Sequence, residues 1–322
     1  MQNRVTSILN IEKPLLQGAM NSLTNPEFIS AVSEAGGLGI LGHNSGEARN
    51  TRSAIETTER IRKEIKKIKA LTDKPFASTI MVNENLTFTD YIIDMLIEEQ
   101  IHVVLINGLL DENIFNKLKA NDIKIIFRPN TPTTENAIAA EKLEADVFVA
   151  TGFDEGGSVP ENIIGTFSIV PMIVDVINIP VIAAGGVSDV RGVRAAFSLG
   201  AEGVYVGSAL IPTVENPAAE NVKQYIVDSE AEDLILFRNL PAYYRSLPGK
   251  LARELKEMDE NGATNEALAK HMGAGKNMRL GMVEGDTENG YVSVGTGISS
   301  IKSIRSVKEV IDDMMQDFNS NT

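Results

Sequence analysis

Eight short runs rich in Val, Ile and Leu recur along this chain, at residues 14–20, 37–42, 76–82, 103–108, 124–130, 147–152, 180–186 and 203–208. Their starts lie roughly 20 to 40 residues apart, the length of a βα unit. The runs are mostly apolar rather than alternating, as strands covered on both faces must be. Eight such units predict an α/β protein with a TIM (β/α)8 barrel, whose active groups gather at the C-terminal ends of the strands. A doubly wound open sheet is the alternative, but no Gly-x-Gly-x-x-Gly follows the first run.

Helical signals fill the gaps. Asn25 stands at an N-cap before residues 26–35, and Gly36-Gly37 stops that segment. Residues 90–100, 112–120 and 134–143 read the same way, and Ser188-Asp189 reads as the cap of a helix running to Gly200. After the eighth run the pattern changes. Residues 212–285 hold helical segments and no convincing strand, with 243–249 and 272–275 read as loops. The stretch 301–318 places Ile304, Val307, Val310, Ile311 and Met314 on one helical face. The expected organisation is a barrel over residues 1–211 and 286–322, with a helical cap (212–285) inserted over its mouth between the eighth strand and the final helix.

A chain of 322 residues suits one barrel plus an insertion. It has no cysteine, which removes disulfides, cysteine-ligated iron–sulfur clusters and a thiol nucleophile. The net charge of −14 argues against a nucleic-acid partner. One basic cluster, Arg60-Ile-Arg-Lys-Glu-Ile-Lys-Lys-Ile-Lys69, has isoleucines at helical spacing and reads as a solvated helix face. Residues 1–13 lack the apolar run of a signal peptide. The most apolar stretch, 163–187, is broken by Pro171, Asp175, Pro180 and glycines, so it reads as helix then strand rather than a membrane span. These features predict a cytoplasmic protein with a small-molecule substrate and no membrane.

Two of the strands run out into glycine: Pro180-Val-Ile-Ala-Ala-Gly-Gly186 and Gly203-Val-Tyr-Val-Gly-Ser208, each followed by a helix-like segment. Glycine there lets backbone N–H groups approach a ligand, and a helix N-terminus adds partial positive charge. Side by side, two such ends suit a phosphate.

The ordered set of motifs resembles the flavin-dependent family of nitronate monooxygenases (formerly 2-nitropropane dioxygenases) and flavin-type enoyl-acyl-carrier-protein reductases. It comprises Pro14-Leu-Leu-Gln-Gly-Ala-Met20, Ala35-Gly-Gly-Leu-Gly39, Lys74-Pro75-Phe76, Gly152-Phe-Asp-Glu-Gly-Gly157, Ile182-Ala-Ala-Gly-Gly-Val187 with Asp189, and Val206-Gly-Ser208. Met272-Gly-Ala-Gly275, Glu284-Gly-Asp286 and Gly290-Tyr-Val-Ser-Val-Gly295 complete it. The resemblance implies FMN across the barrel mouth. Gly18, Ala19 and Met20 would pass under its ring, and Gly185, Gly186, Gly207 and Ser208 would hold its phosphate. Thr79, Thr151, Gly157 and Ala184 complete the implied cofactor set.

Three positions depart from that family's pattern. Ser158 stands where the family's Gly-Gly-His loop carries the proton-moving histidine. A serine hydroxyl donates and accepts hydrogen bonds but is a poor acid or base. Thr79 replaces a usual asparagine, and Thr151 a common acidic or amide residue. Three histidines remain. His43 follows the second strand and is either a substitute catalytic group at the mouth or a surface loop residue. His102 precedes the fourth strand, at the wrong end. His271 lies in the cap and would need it to fold over. Tyr243 and Tyr244 are further donors, or packing residues of the cap. Asp154 and Glu155 could be read as a hydrolytic carboxylate pair, but nothing else resembles a glycosidase site. No Gly-x-Ser-x-Gly is present, and no His and carboxylate cluster has metal-ligand spacing, so no metal is expected.

The resemblance implies an FMN-dependent oxidoreductase oxidising an alkyl nitronate or NAD(P)H, with NADH or NADPH as co-substrate. An enoyl-acyl-carrier-protein reductase, with acyl carrier protein as partner, is the alternative. A flavin reductase acting on quinones needs the least acid–base help. A flavin-binding protein with little turnover, a barrel holding a sugar phosphate or IMP-like nucleotide, and a homodimer all stay open.

Overall fold

A computed structural model describes residues 3–46, 53–84, 86, 88–239 and 242–318. Residues 1–2, 47–52, 85, 87 and 319–322 of the expected barrel range and 240–241 of the expected cap lie outside that description. In chain order the strands are β1 (Leu15–Gln17), β2 (Gly39–Leu41), β3 (Phe76–Val82), β4 (Val103–Gly108), β5 (Lys124–Arg128), β6 (Val147–Thr151), β7 (Gly157–Val159), β8 (Val181–Ala184), β9 (Gly203–Val206), β10 (Ile235–Asn239) and β11 (Ala242–Ser246). Eight of them form one parallel sheet in the order β1-β9-β8-β6-β5-β4-β3-β2. The ring closes between β1 and β2, where the Gln17 N–H donates to the Leu38 carbonyl and the Leu38 N–H to the Leu15 carbonyl, both at 2.9 Å. The fold is the predicted TIM barrel.

The apolar runs are explained by two layers. In β4, Val103 and Leu105 face the barrel interior with Leu16, Ile40 and Ile126, whereas Val104 and Ile106 face the surrounding helices. Such a strand has no solvated face, so alternation disappears from its sequence. A short helix, Arg4–Leu9, sends Val5 and Leu9 into the interior cluster; this plug was not expected from the sequence. Helix starts follow the capping signals. The Asn25 side chain accepts from the Phe28 N–H at 2.8 Å, and Asp189 accepts from the Arg191 and Gly192 N–H groups. The basic cluster lies on the helix Ala54–Leu71 with Ile61, Ile65 and Ile68 buried.

Four local expectations need correction. The 212–285 segment is not purely helical, because β10 and β11 form a hairpin that adds to β7 in a three-stranded antiparallel sheet. Residues 243–246, read as loop, are strand, paired with the adjacent β10 in the hairpin and across a long stretch of chain with β7. Residues 272–275 are not a loop either. Gly273, at φ +67°, ends the helix Asn265–Met272, and the helix Ala274–Met282 begins directly. Finally, the last helix is Val307–Met314, capped by Ser306, so Ile304 precedes it. The inserted elements have their own core of Phe237, Tyr244, Leu251, Leu255, Leu268 and Tyr291. Among the described residues no helix is long and apolar enough to cross a membrane.

Candidate active site

A cavity of about 570 Å³ opens at the C-terminal ends of the barrel strands, within the usual size of a small-molecule site. Gly18, Ala19 and Met20 line it after β1, Gly185 and Gly186 after β8, and Gly207 and Ser208 after β9. Gly185 has φ +96°, and a Cβ there would come within 2.9 Å of the Gly152 carbonyl oxygen and of Thr166 Oγ1. The chain's own turn therefore demands glycine at 185. Gly207 differs. Its φ is an ordinary −106°, and a Cβ would meet only Met20 Sδ, at 3.8 Å. The protein's own packing leaves room for a methyl there, so glycine is required only if something else fills that space. The two ends also continue differently. Asp189 opens the helix Val190–Ser198, but Ser208–Leu210 is a single 3₁₀ turn rather than the expected helix. The Ser208 hydroxyl accepts from the Gly295 N–H at 2.8 Å, which brings Gly295 and Gly297 to the same rim.

Across the mouth the lining is charged. Inward phase on β4 and β5 passes from Leu105 to Asn107 and from Ile126 to Arg128. Arg128 Nη1 donates to Asn107 Oδ1 at 2.9 Å, and Nη2 to Glu155 Oε2 at 2.5 Å. Its guanidinium lies 5.5 Å from the centre of the Tyr205 ring. The Tyr205 hydroxyl accepts from the Ala19 N–H at 2.7 Å, tying this cluster to the loop after β1. Burial pushes the Glu155 carboxyl up to about 7, against the opposing pull of Arg128 and Arg245. Two threonine hydroxyls on barrel strands, Thr79 Oγ1 and Thr151 Oγ1, are buried without a partner among the described residues. Thr79 lines the cavity, as Gly157 and Ala184 do, whereas Thr151 at the end of β6 is not part of the lining.

Ser158 lines the cavity from β7 and is paired in register with Tyr244 of β11. The insertion thus holds the loop that carries it. Arg245 Nη1 donates to the carbonyls of Phe153, at 2.5 Å, and Glu155, and its guanidinium stacks 5.0 Å from the Phe153 ring centre. Tyr244 hydrogen-bonds Ser293. Asp154 turns the other way from Glu155: its Oδ2 accepts the Thr166 N–H at 2.6 Å. The two carboxylates serve separate partners and do not form a hydrolytic pair.

The histidines separate clearly. His43 lines the cavity, and burial, then the Arg60 charge, lowers it to about 4, so its imidazole is neutral at neutral pH. His102 is exposed before β4. His271 Nε2 lies 3.0 Å from Glu254 Oε2, and His271 is not part of the cavity lining. Sequence reasoning set aside the Asp154 and Glu155 pair, as the separate partners bear out, but did not single out Asn107, Arg128, Tyr205 or Glu155 alone. A charged residue on the inward phase of a barrel strand, at its C-terminal end, was the available signal for Arg128.

The family model described as Nitronate monooxygenase matches residues 2–107 and 87–317. The chain belongs to the nitronate monooxygenase family. Like its family, it is a flavin-dependent oxidoreductase. A probable nitronate monooxygenase of Staphylococcus aureus (strain Newman) is 31% identical over 294 residues, covering 78% of each chain. The structure of FabK from Thermotoga maritima superposes with a TM-score of 0.86 at 34% identity, over 99% of this chain and 96% of that one. A nitroalkane oxidase from Streptomyces ansochromogenes shares the fold, with a TM-score of 0.80 at 20% identity over 98% of both chains. Within this nitronate monooxygenase family barrel, the charged cluster of Arg128 and Glu155 faces the glycine cradle across one cavity.

Proposed function

We propose that the protein binds FMN in this cavity and oxidises at it a preformed alkyl nitronate or NAD(P)H. The observation that carries the reading is Gly207, a glycine that the protein's own packing does not require, beside the positive-φ pair Gly185 and Gly186. Gly185, Gly186, Gly207 and Ser208 would hold the phosphate through backbone N–H groups and a hydroxyl. Gly18, Ala19 and Met20 would support the ring, and the unpartnered Thr79 hydroxyl would gain a hydrogen-bond partner. Bound FMN would supply the capacity to accept a hydride or electrons. The chain's part is to orient the donor and exclude water. Ser158 offers a hydroxyl where a base would otherwise stand, and His43 is neutral, which favours donors that arrive already activated. A second reading, an enoyl-acyl-carrier-protein reductase fed by NAD(P)H, draws support from the likeness to FabK over nearly the whole chain.

The test is a visible absorption spectrum of the purified protein, followed by anaerobic mixing with NADH, NADPH, an alkyl nitronate and an enoyl thioester. Flavin bands bleached by a nicotinamide or by the nitronate are expected. A colourless protein that refuses added FMN overturns the reading, and flavin bands that no donor bleaches leave a binding protein without turnover.

A further inference from the structure

Reduction of a two-electron acceptor by a nicotinamide consumes a proton: NAD(P)H + A + H⁺ gives NAD(P)⁺ + AH₂. With serine at 158, that proton needs another source. We propose that Glu155 is the general acid of this site and that Arg128 is the positioning residue that orients its carboxyl and sets its charge. This rests on reading the cavity as a flavin site in which a nicotinamide is oxidised.

The geometry singles Glu155 out. Among the described residues it is the one carboxylate lining the cavity. Its loop is fixed from two sides. Arg245 holds the carbonyls of Phe153 and Glu155, and at Gly156 even a Cβ would fall 2.2 Å from the Val294 carbonyl carbon. Arg128 engages Oε2 and is itself fixed by Asn107, which leaves Oε1 to carry a proton. The charged and titratable groups around the carboxyl are Arg128 on β5, Tyr205 on β9, Arg245 on β11 and the neighbouring Asp154. Their balance with burial holds Glu155 near 7, where an acid is both protonated and willing to release its proton. Four other titratable groups of the lining are held in one state. His43 stays neutral, Tyr291 is pushed up to about 12 by burial, and Tyr205 and Tyr244 are raised as well.

For an acceptor such as an α,β-unsaturated thioester, the β-carbon would receive a hydride (one proton with two electrons) that the nicotinamide gives up, bound FMN supplying the capacity to carry it. The Glu155 O–H bond then breaks and its proton bonds to the α-carbon. The bonding pair stays on the carboxylate, whose charge faces Arg128, and solvent returns the proton.

The experiment uses the FMN-loaded protein with NADH or NADPH and a crotonyl thioester. The wild-type kcat is expected to fall tenfold per pH unit above about 7, and in D₂O one face of the α-carbon takes deuterium. Glu155→Gln should retain the flavin spectrum and KM but lose roughly 10²–10⁴-fold in kcat, with a flat pH profile and no facial preference. Arg128→Gln removes the opposing charge and should move the inflection upward, which keeps the test alive if Glu155→Gln does not fold. The apoprotein supplies a readout without turnover. A carboxyl raised in the folded state stabilises it most below pH 4.5, and that contribution disappears as pH rises to about 7. The thermal midpoint of wild type relative to Glu155→Gln should therefore fall across that window and then level off.

Glu155→Gln that keeps its flavin, its kcat within about threefold and the same inflection overturns the assignment. So does a midpoint difference that stays constant from pH 4.5 to 7, or a wild type that oxidises the nicotinamide yet reduces no thioester. A wild type that binds no FMN sinks the cavity reading instead, while the apoprotein titration still decides the charge of Glu155.

Discussion

Along β8 and β9 the barrel mouth is made of backbone, and across from it, at the ends of β4 and β5 and in the loop before β7, it is made of side chains. Gly185, Gly186 and Gly207 bring main chain to the cavity wall, whereas Asn107, Arg128 and Glu155 meet there from three separate segments. A backbone site is rigid and indifferent to charge state. A side-chain cluster is tunable, because each group's ionisation depends on the others. On the proposed reading, the division places holding on one side and proton chemistry on the other.

The largest effects should come from the backbone side. Gly185→Val, which needs φ +96° and meets protein within 2.9 Å, is expected to cost about 3 kcal/mol or more of stability and to abolish FMN binding. Gly207→Val should instead leave the apoprotein's thermal midpoint within a few degrees while weakening FMN on the order of 100-fold, because within the protein a Cβ there meets only Met20 Sδ, at 3.8 Å. Equal loss of stability in both variants would erase the distinction between a strained turn and a ligand cradle.

On the side-chain face, Arg128→Ala strips Glu155 of its partner. Breaking a fully buried pair costs about 3–5 kcal/mol, and this pair borders a cavity, so about 1–3 kcal/mol is expected at pH 8. The loss should shrink toward pH 5, where Glu155 escapes by taking a proton; a chemical denaturation series over pH reads it. Smaller still, Thr79→Val removes a buried hydroxyl that has no partner. Apoprotein stability should hold or rise by about 1 kcal/mol, while FMN affinity falls several-fold. His43→Ala should leave the pH–rate profile between 6 and 9 unmoved, because the imidazole already titrates near 4. A shifted inflection would restore His43 as a proton carrier.

The same contrast explains what could be read in advance. Strands 76–82 and 103–108 were legible to the residue, because a strand buried on both faces writes an unbroken apolar run. Caps such as Asn25 and Asp189 are local and were legible too. Gly185 and Gly186 announce themselves because a positive φ excludes other residues at those very positions. Arg128 and Glu155 carry no local mark. Their meeting depends on β5 register and on a loop clamped by Arg245 from the insertion. The β7–β10–β11 sheet was invisible for a related reason. Ser158 pairs with Tyr244 across a long stretch of chain, so neither segment needs a strand-like pattern by itself.

The central claim is that the cradle at β8 and β9 holds a phosphate, and fluorescence titration of the apoprotein with FMN and with riboflavin tests it most directly. Charge-assisted hydrogen bonds to a phosphate contribute about 1.5–3 kcal/mol each, so FMN should bind at least on the order of 100-fold more tightly than riboflavin, and Gly207→Val should remove most of that preference. Equal affinity for the two flavins would contradict the account.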